Sequence, residues 1–136
     1  MIIDTSALVA VLLREDGEET LLDAMLEGVG FIPTPVLVEF ERVSSIANNV
    51  PDPMAVTLLE KLYLAGLKPV PFSEVHAQVA NSANAEYGSG NGKGGKLNML
   101  DLMVYGTAKA MKLPILCTGR DFALTDALLH SASRLT

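Results

Sequence analysis

The sequence predicts an α/β fold with three layers, α/β/α, around a mainly parallel central sheet. Two observations lead to this prediction. Short apolar runs of strand length alternate with longer helical patterns, and these runs lack the apolar–polar alternation of half-exposed strands. The chain has 136 residues, 49% hydrophobic and 19% charged, so we expect residues 1–136 to form a single globular domain.

Composition and charge exclude several classes of protein. The longest uninterrupted apolar run, Ala7–Leu13, is too short to span a membrane. The N-terminus lacks the basic start and longer apolar run of a signal peptide, and the single Cys117 cannot form an internal disulfide, so we expect a cytoplasmic protein. The net charge of −6 disfavours binding of nucleic acid over the whole surface. A phosphate-bearing substrate would need a bound cation or a local basic patch.

The first half of the chain alternates strands with helices. Thr5 and Ser6 are helix-capping residue types that follow a short apolar start. Thr34 and Pro35 form a helix-start signal, a capping residue followed by proline at the first helical position. The predicted order is strand 1–4, helix 7–14, helix 20–27, strand 30–33 and helix 34–47.

The second half of the chain continues the pattern. Tyr87–Lys96, with five glycines and two lysines, predicts a flexible loop. The loop is not a P-loop, because Gly94 stands where that motif needs Ser or Thr. The predicted order is helix 52–65, strand 67–71, helix 74–85, helix 97–111, strand 113–118 and helix 123–130.

The helix predicted over Leu97–Met111 is apolar on nearly every face, so we expect the rest of the protein to surround it. Asp101 lies within it between Leu100 and Leu102, where an ionised carboxylate needs a partner. Asn98, three residues earlier, also makes a pattern similar to a capping box, which would explain the acid without any function. The two interpretations are compatible.

Glu39 is distinguished from Glu41 by helical projection at about 100° per residue. Glu39 falls within the apolar stripe of its helix, whereas Glu41 falls outside it and reads as an ordinary surface acid. Since a buried unpaired glutamate is costly, Glu39 faces either an edge open to water or a polar pocket, and we favour the pocket. The stripe consists of Val36, Phe40, Val43, Ile46 and Ala47.

Asp4 and Asp121 each follow a predicted strand, at the end where parallel α/β sheets gather ligands. Each also has a local explanation, a turn or cap for Asp4 and a helix N-cap for Asp121. Asp126 is the reserve candidate for the fourth acid. Clustered carboxylates repel without a cation, and oxygen-only ligands suit Mg²⁺ or Mn²⁺. One cysteine and two histidines without ligand spacing disfavour zinc.

Four segments occur in an order and spacing that point to a known family: Ile2–Leu8, Pro35–Glu39, Leu97–Lys109 and Leu113–Asp126. With them the chain resembles a PIN domain, and more narrowly a VapC-type toxin ribonuclease of prokaryotic toxin–antitoxin pairs. The resemblance covers nearly the whole chain. The sequence departs from the family in the bulk of the residues beside the third acid and in Arg120 before the fourth, which bears on substrate shape.

The resemblance implies a Mg²⁺- or Mn²⁺-dependent endoribonuclease that hydrolyses RNA phosphodiester bonds. Its four catalytic acids would be Asp4, Glu39, Asp101 and Asp121. Asp4 and Asp101 would bind the metal, Glu39 would orient or deprotonate water, and Asp121 would complete the first or second shell. The resemblance also implies a homodimer and an antitoxin, for which the helices around 20–27 and 34–61 are docking candidates.

Further substrate contacts are expected around the four acids. Lys93, Lys96 and Arg120 are candidates for contact with RNA phosphates, and Thr5 or Ser6 for contact with the metal or a phosphate oxygen.

Two other functions stay open at this point. A phosphoacceptor receiver domain also binds Mg²⁺ in an α/β fold, but it needs adjacent acids near the first strand and a late lysine. Here Asp4 stands alone, and Cys117 and Thr118 end the late strand. A PIN fold that has lost catalysis and only binds a partner also fits the sequence.

Overall fold

Four short parallel strands form the centre of the protein, in the order β3-β2-β1-β4. The computed structural model describes residues 1–136 except for the side chain of Asp52. Ile2 lies opposite Phe31 of β2 on one side and Ile115 of β4 on the other. This arrangement confirms the predicted parallel α/β fold. The strands are β1 (Ile2–Ile3), β2 (Phe31–Pro33), β3 (Lys68–Val70) and β4 (Ile115–Leu116).

Helices flank this sheet and share its buried core. Six of the predicted helices form, with ends that differ from the prediction by a few residues. None is long and apolar enough to cross a membrane in the part of the chain that the structure describes. The helices are α1 (Thr5–Leu12), α2 (Glu18–Leu26), α3 (Thr34–Arg42), α4 (Asp52–Ala65), α5 (Glu74–Tyr87) and α6 (Met99–Met111).

The prediction of a helix over 123–130 is wrong. Only a 3-10 turn, Phe122–Leu124, forms there. The chain then runs beside β4 in parallel, with isolated bridges from Ile115 to Leu129 and from Thr118 to Arg134. Without a neighbour, the outer edge of β4 would leave backbone N–H and C=O groups unpaired. The C-terminal segment pairs with this edge instead of forming a local helix.

The end of α3 also departs from the prediction. A π-helical turn, Val43–Ala47, follows α3 and closes with a hydrogen bond from Asn48 N to Val43 O at 3.1 Å. The wider turn rotates the following side chains away from the α-helical register. The predicted apolar stripe is therefore wrong at its end: Ile46 is 72% exposed, and Ala47 is exposed as well.

Helix α6 packs closely along α5 at Gly106. A Cβ on Gly106 would lie 2.4 Å from the carbonyl oxygen of His76, so only glycine allows this approach. The segment Val104–Ala108 is buried, but Met99 in the first turn is 68% exposed. The expectation that the whole helix is surrounded is thus wrong for its first turn, where Asp101 lies.

Candidate active site

Asp4 directly follows β1 and caps α1, which confirms the cap considered for Asp4, whereas the cap predicted from Thr5 and Ser6 is wrong. Its Oδ2 accepts hydrogen bonds from Ser6 N at 3.1 Å and from Ser6 Oγ at 2.5 Å. Ser6 Oγ in turn accepts a hydrogen bond from Thr118 N at 3.0 Å. The side chain is only 6% exposed, and this burial raises the pKa of the Asp4 carboxyl, whereas the bonds from Ser6 act to lower it.

Asp101 occupies the first turn of α6 and forms the capping box suggested by its spacing. Its backbone N donates to Asn98 Oδ1 at 2.9 Å, and Asn98 N donates to Asp101 Oδ2 at 3.1 Å. Burial and the charges of Asp4, Asp121 and Glu39 raise the pKa of Asp101 to about 7, against the lowering effect of the bond from Asn98. Asp101 therefore caps its helix and also faces three other acids.

Glu39 lies on α3 and is half-buried, whereas Glu41 is exposed, as the helical projection predicts. The charge of Glu39 contributes to the raised pKa of both Asp4 and Asp101. Glu39 also lines a mostly apolar cavity of about 440 Å³ with Val38 and other residues of α3 and α6. It thus faces the other acids from the opposite helix.

The structure separates the roles of Asp121 and Asp126. Asp121 is exposed, and its charge contributes to the raised pKa of Asp101. It starts the 3-10 turn without the capping hydrogen bond considered for it. Asp126 instead accepts a hydrogen bond from Tyr105 Oη at 2.5 Å and forms an ion pair with Lys109 Nζ at 3.1 Å. We call Asp4, Glu39, Asp101 and Asp121 the acidic cluster.

No acid of the acidic cluster forms an ion pair with a described side chain, although Arg42 lines the same cavity as Glu39, and Lys93 and Lys96 line the same cavity as Asp121. Among the described side chains the ion pairs are Lys109–Asp126 and Arg134–Glu15, and neither involves a cluster acid. A set of oxygen donors without an ion pair has the chemistry of a Mg²⁺ or Mn²⁺ site. The donor set also includes Thr5 Oγ1, which is buried next to Asp4 and has no hydrogen-bond partner.

The spacing of the acids limits how they can hold an ion. As they stand, no three acid, His or Cys side chains in the described part of the chain lie close enough together to hold one ion. Mg²⁺ commonly takes only one or two carboxylates and keeps several waters. A metal at this site would therefore be held by at most two of the carboxylates and by water, and not by a closed protein cage.

The predicted phosphate contacts have different environments. Lys93 and Lys96 are exposed and line a cavity of about 230 Å³ together with Asp121. Arg120 donates from Nε to Leu135 O at 3.1 Å, which directs it to the C-terminal segment. Ser6 is occupied by Asp4 and Thr118, so it acts on the cluster through Asp4.

The loop that carries the two lysines is organised by Asn91, which the sequence analysis did not single out. Asn91 makes four side-chain hydrogen bonds within or beside the loop. The only signal in the sequence was an asparagine set between glycines, a composition that also suits an unstructured linker.

Another cavity, of about 460 Å³, lies between α5 and α6. Its lining contains Phe72, Asn81 and Met99 but no acid, so it is separate from the chemistry of the cluster.

Comparison with known proteins settles the family. A family model described as the PIN domain matches residues 1–128. The chain belongs to the PIN-domain family. This confirms the resemblance seen in the four acidic segments.

Relatives and solved structures agree with this assignment. The chain is 35% identical over 129 residues to ribonuclease VapC36 of Mycobacterium tuberculosis, covering 93% of this chain and 90% of that protein. It is also 35% identical over 132 residues to ribonuclease VapC of Mycolicibacterium smegmatis, covering 96% and 100%. Its fold also matches a chain in the crystal structure of VapBC2 from Rickettsia felis bound to a DNA fragment from the promoter of these proteins. The TM-score is 0.70 at 18% identity, over 94% of each chain.

Proposed function

We propose that this PIN-domain protein is a Mg²⁺- or Mn²⁺-dependent endoribonuclease and the toxin of a toxin–antitoxin pair. The observation that carries the proposal is that the charges of three other carboxylates reach Asp101, that no acid of the cluster forms an ion pair with a described side chain, and that buried Thr5 Oγ1 beside Asp4 has no hydrogen-bond partner. The relatives are named VapC ribonucleases, which supports RNA as the substrate.

Asp4 and Asp101 are the residues that would hold the metal. When bound, a divalent ion lowers the pKa of water and offsets charge on the attacked phosphate. Hydrogen bonds hold both carboxylates in place. Asp4 accepts from Ser6, and Asp101 accepts from Asn98 N in the capping box. Positioned side chains of this kind keep their geometry during reaction.

The remaining acids have supporting roles in the proposal. Glu39 accepts the proton of the attacking water or orients it. Asp121 lies at the exposed side of the cluster. It assists Asp101 either by binding the metal directly or by orienting a group that does. Lys93 and Lys96 contact RNA phosphates at this side, which gives an acidic protein a local basic patch.

An antitoxin is part of the same proposal, and its docking surface is a groove formed by α1, α2 and α4. The groove has a volume of about 360 Å³, with Leu12, Leu22 and Leu58 as apolar lining and Arg14 and Lys61 as cations. Helices α2 and α4 overlap the docking candidates 20–27 and 34–61, whereas α1 lies outside both. A solved structure from Klebsiella pneumoniae with a TM-score of 0.70 is described as a toxin–antitoxin complex, which supports a protein partner.

A homodimer is also proposed, through the apolar face that α3 and α6 share beside Glu39. Val38 is 72% exposed there, next to half-buried Leu100 and Met103. Apolar faces of this kind mark association surfaces. Val38→Asp should convert a dimer to a monomer by light scattering, whereas Leu64→Asp, at a 90% exposed position on α4, should not.

The decisive test is cleavage of RNA by the purified protein with Mg²⁺, Mn²⁺ or EDTA. The wild type should cleave only with a divalent ion, and Asp101→Asn should abolish cleavage. Asparagine can still accept the hydrogen bond from Asn98 N, so this variant removes the charge and keeps the cap. Glu39→Gln should lower kcat by about 100-fold or more, and the matched control Glu41→Gln should not.

The catalytically silent alternative predicts a different result. If no variant or metal gives cleavage, and expression of the wild type and Asp101→Asn affects growth equally, the ribonuclease proposal is wrong. Retained binding of an antitoxin would then support a PIN-fold binding protein.

A further inference from the structure

The loop between α5 and α6 carries the two lysines that share a cavity with Asp121. Backbone hydrogen bonds close its base: Ser89 N donates to Leu97 O at 2.7 Å, and Leu97 N donates to Tyr87 O at 2.9 Å. The next residue after Leu97 is Asn98, the cap of the helix that carries Asp101. The predicted flexible loop is therefore a closed, organised loop attached to the acidic cluster.

Asn91 lies at the centre of this loop. Its Nδ2 donates to Ala85 O and Glu86 O, both at 3.1 Å, which are carbonyls in the last turn of α5. Its Oδ1 accepts hydrogen bonds from Lys93 N at 2.7 Å and from Gly95 N at 3.1 Å. These bonds use both donors and both acceptor sites of the amide. One side chain thus joins the end of α5 to the backbone that carries Lys93.

Glycines allow the loop backbone to turn around Asn91. Gly90, Gly92 and Gly94 have φ values of 83°, 76° and 83°, and a Cβ at any of them would meet no atom within 4 Å. A side chain would therefore fit at these three positions, but the positive φ values favour glycine there. Gly95 is required for space, because its Cβ would lie 2.3 Å from the carbonyl oxygen of Gly88 and 2.7 Å from Asn91 Nδ2.

The lysines on this loop have no acidic partner. Lys93 and Lys96 are exposed, and neither forms an ion pair with a described side chain. The other ionisable groups that line their cavity are Asp121, Glu86 and Tyr87. In a chain with a net charge of −6, two exposed ammonium groups without an ion pair can contact an anion here, although Asp121 and Glu86 line the same cavity.

We propose that Asn91 is a positioning residue that holds Lys93 and Lys96 so that their ammonium groups contact RNA phosphates beside the cleaved bond. The inference rests on the proposed ribonuclease function and assigns it a specific RNA-binding element. The lysines touch the RNA, and Asn91 acts through them.

The first test is binding of a fluorescein-labelled single-stranded RNA of mixed sequence at several salt concentrations, in the Asp101→Asn background so that the RNA stays intact. Lys93→Ala with Lys96→Ala should weaken binding about 10-fold. It should also lower the salt slope by about 1.4, since each phosphate contact to a single strand contributes about 0.7. Asn91→Ala should change both quantities in the same direction. When Asn91→Ala is added to the double lysine variant, the RNA affinity and the salt slope should not change further, because Asn91 affects binding only by positioning the lysines.

The second test is steady-state cleavage by the full-length protein with its acids intact. Asn91→Ala should raise KM and leave kcat within about twofold, a split expected when substrate binding alone is weakened. Two controls should behave like the wild type. Asn48→Ala removes another exposed asparagine that donates to a backbone carbonyl, and Lys68→Ala removes a lysine at the far edge of the sheet. Thermal unfolding verifies that each variant is folded.

The outcomes separate this inference from the proposed function. If the wild type cleaves RNA but Asn91→Ala binds like its parent, or adds in full to the lysine variant, the inference is wrong and the ribonuclease stands. If the wild type cleaves nothing but these variants still weaken RNA binding, the ribonuclease proposal falls; Asn91 then keeps its role in RNA binding, and its placement of the lysines beside a cleaved bond is wrong. A wild type that neither binds nor cleaves RNA overturns both.

Discussion

Ser6 Oγ donates a hydrogen bond to Asp4 Oδ2 at 2.5 Å while it accepts one from Thr118 N at 3.0 Å. Ser6 thereby joins the end of β1 to the segment that follows β4. Its bonds also favour the charged form of Asp4 against the burial that raises the pKa of that carboxyl. One hydroxyl therefore connects a cluster acid to the edge of the sheet.

Ser6→Ala should destabilise the fold by about 1–2 kcal/mol, because it removes two partly buried hydrogen bonds. It should also raise the Mn²⁺ concentration needed for half-maximal cleavage, since Asp4 then ionises less readily. Urea unfolding and a metal titration measure the two effects. Ser82→Ala is the control, since its Oγ donates to Gln78 O on the exposed face of α5. A Ser6→Ala protein with wild-type stability and metal dependence would contradict this account.

Asp121→Asn and Asp126→Asn should have opposite effects on RNA cleavage and on stability. Asp121 belongs to the acidic cluster, so its variant should lose RNA cleavage and keep its stability. Asp126 binds Tyr105 and Lys109, so its variant should keep most cleavage and lose about 1 kcal/mol of stability. Tyr105→Phe should reproduce the stability loss of Asp126→Asn. Cleavage rates and thermal unfolding of the three variants decide the point, and a larger cleavage defect in Asp126→Asn would reverse the assignment.

The stability of the metal-free protein should fall as the pH rises from about 4 to about 7. The pKa of Asp101 is about 7 in the fold against 3.8 for an ordinary aspartate, so the native state binds more protons in this window. Stability decreases with pH wherever the native state holds the extra proton. Thermal unfolding in EDTA across this range should show a decline that Asp101→Asn reduces and Glu41→Gln leaves intact. Equal declines in all three proteins would refute the prediction.

Gly106→Ala should destabilise the protein by about 1–3 kcal/mol, although alanine is the better helix former. The new methyl group would meet the carbonyl oxygen of His76 and push α6 away from α5. Because α6 carries Asp101, cleavage should fall as well. Gly92→Ala is an informative comparison, because its strain comes from a positive φ at an open position. An unchanged unfolding temperature for Gly106→Ala would contradict the close packing of the two helices.

Much of the fold could be predicted because its signals are local. Proline and capping residues locate the start of α3 at Thr34 and of α4 at Asp52, and both helices begin where predicted. The helix expected at 123–130 failed because its alternative is not local. The same residues can pair with β4, the strand that precedes them, where Ile115 lies opposite Leu129. That pairing reaches beyond the few turns over which helical periodicity is read, so no periodicity records the partner.

The sequence by itself determined the parallel α/β fold and the PIN-domain family, and it supplied the four candidate acids of the proposed site, because residue types at strand ends and helix starts are properties of short segments. Only the tertiary structure decided that Asp126 belongs to Tyr105 and Lys109, that Ser6 connects Asp4 to Thr118, and that Asn91 organises the lysine loop. Those contacts depend on distances between segments far apart in the chain or on the path of a glycine-rich backbone. Glycine leaves that path open until packing and hydrogen bonds select it.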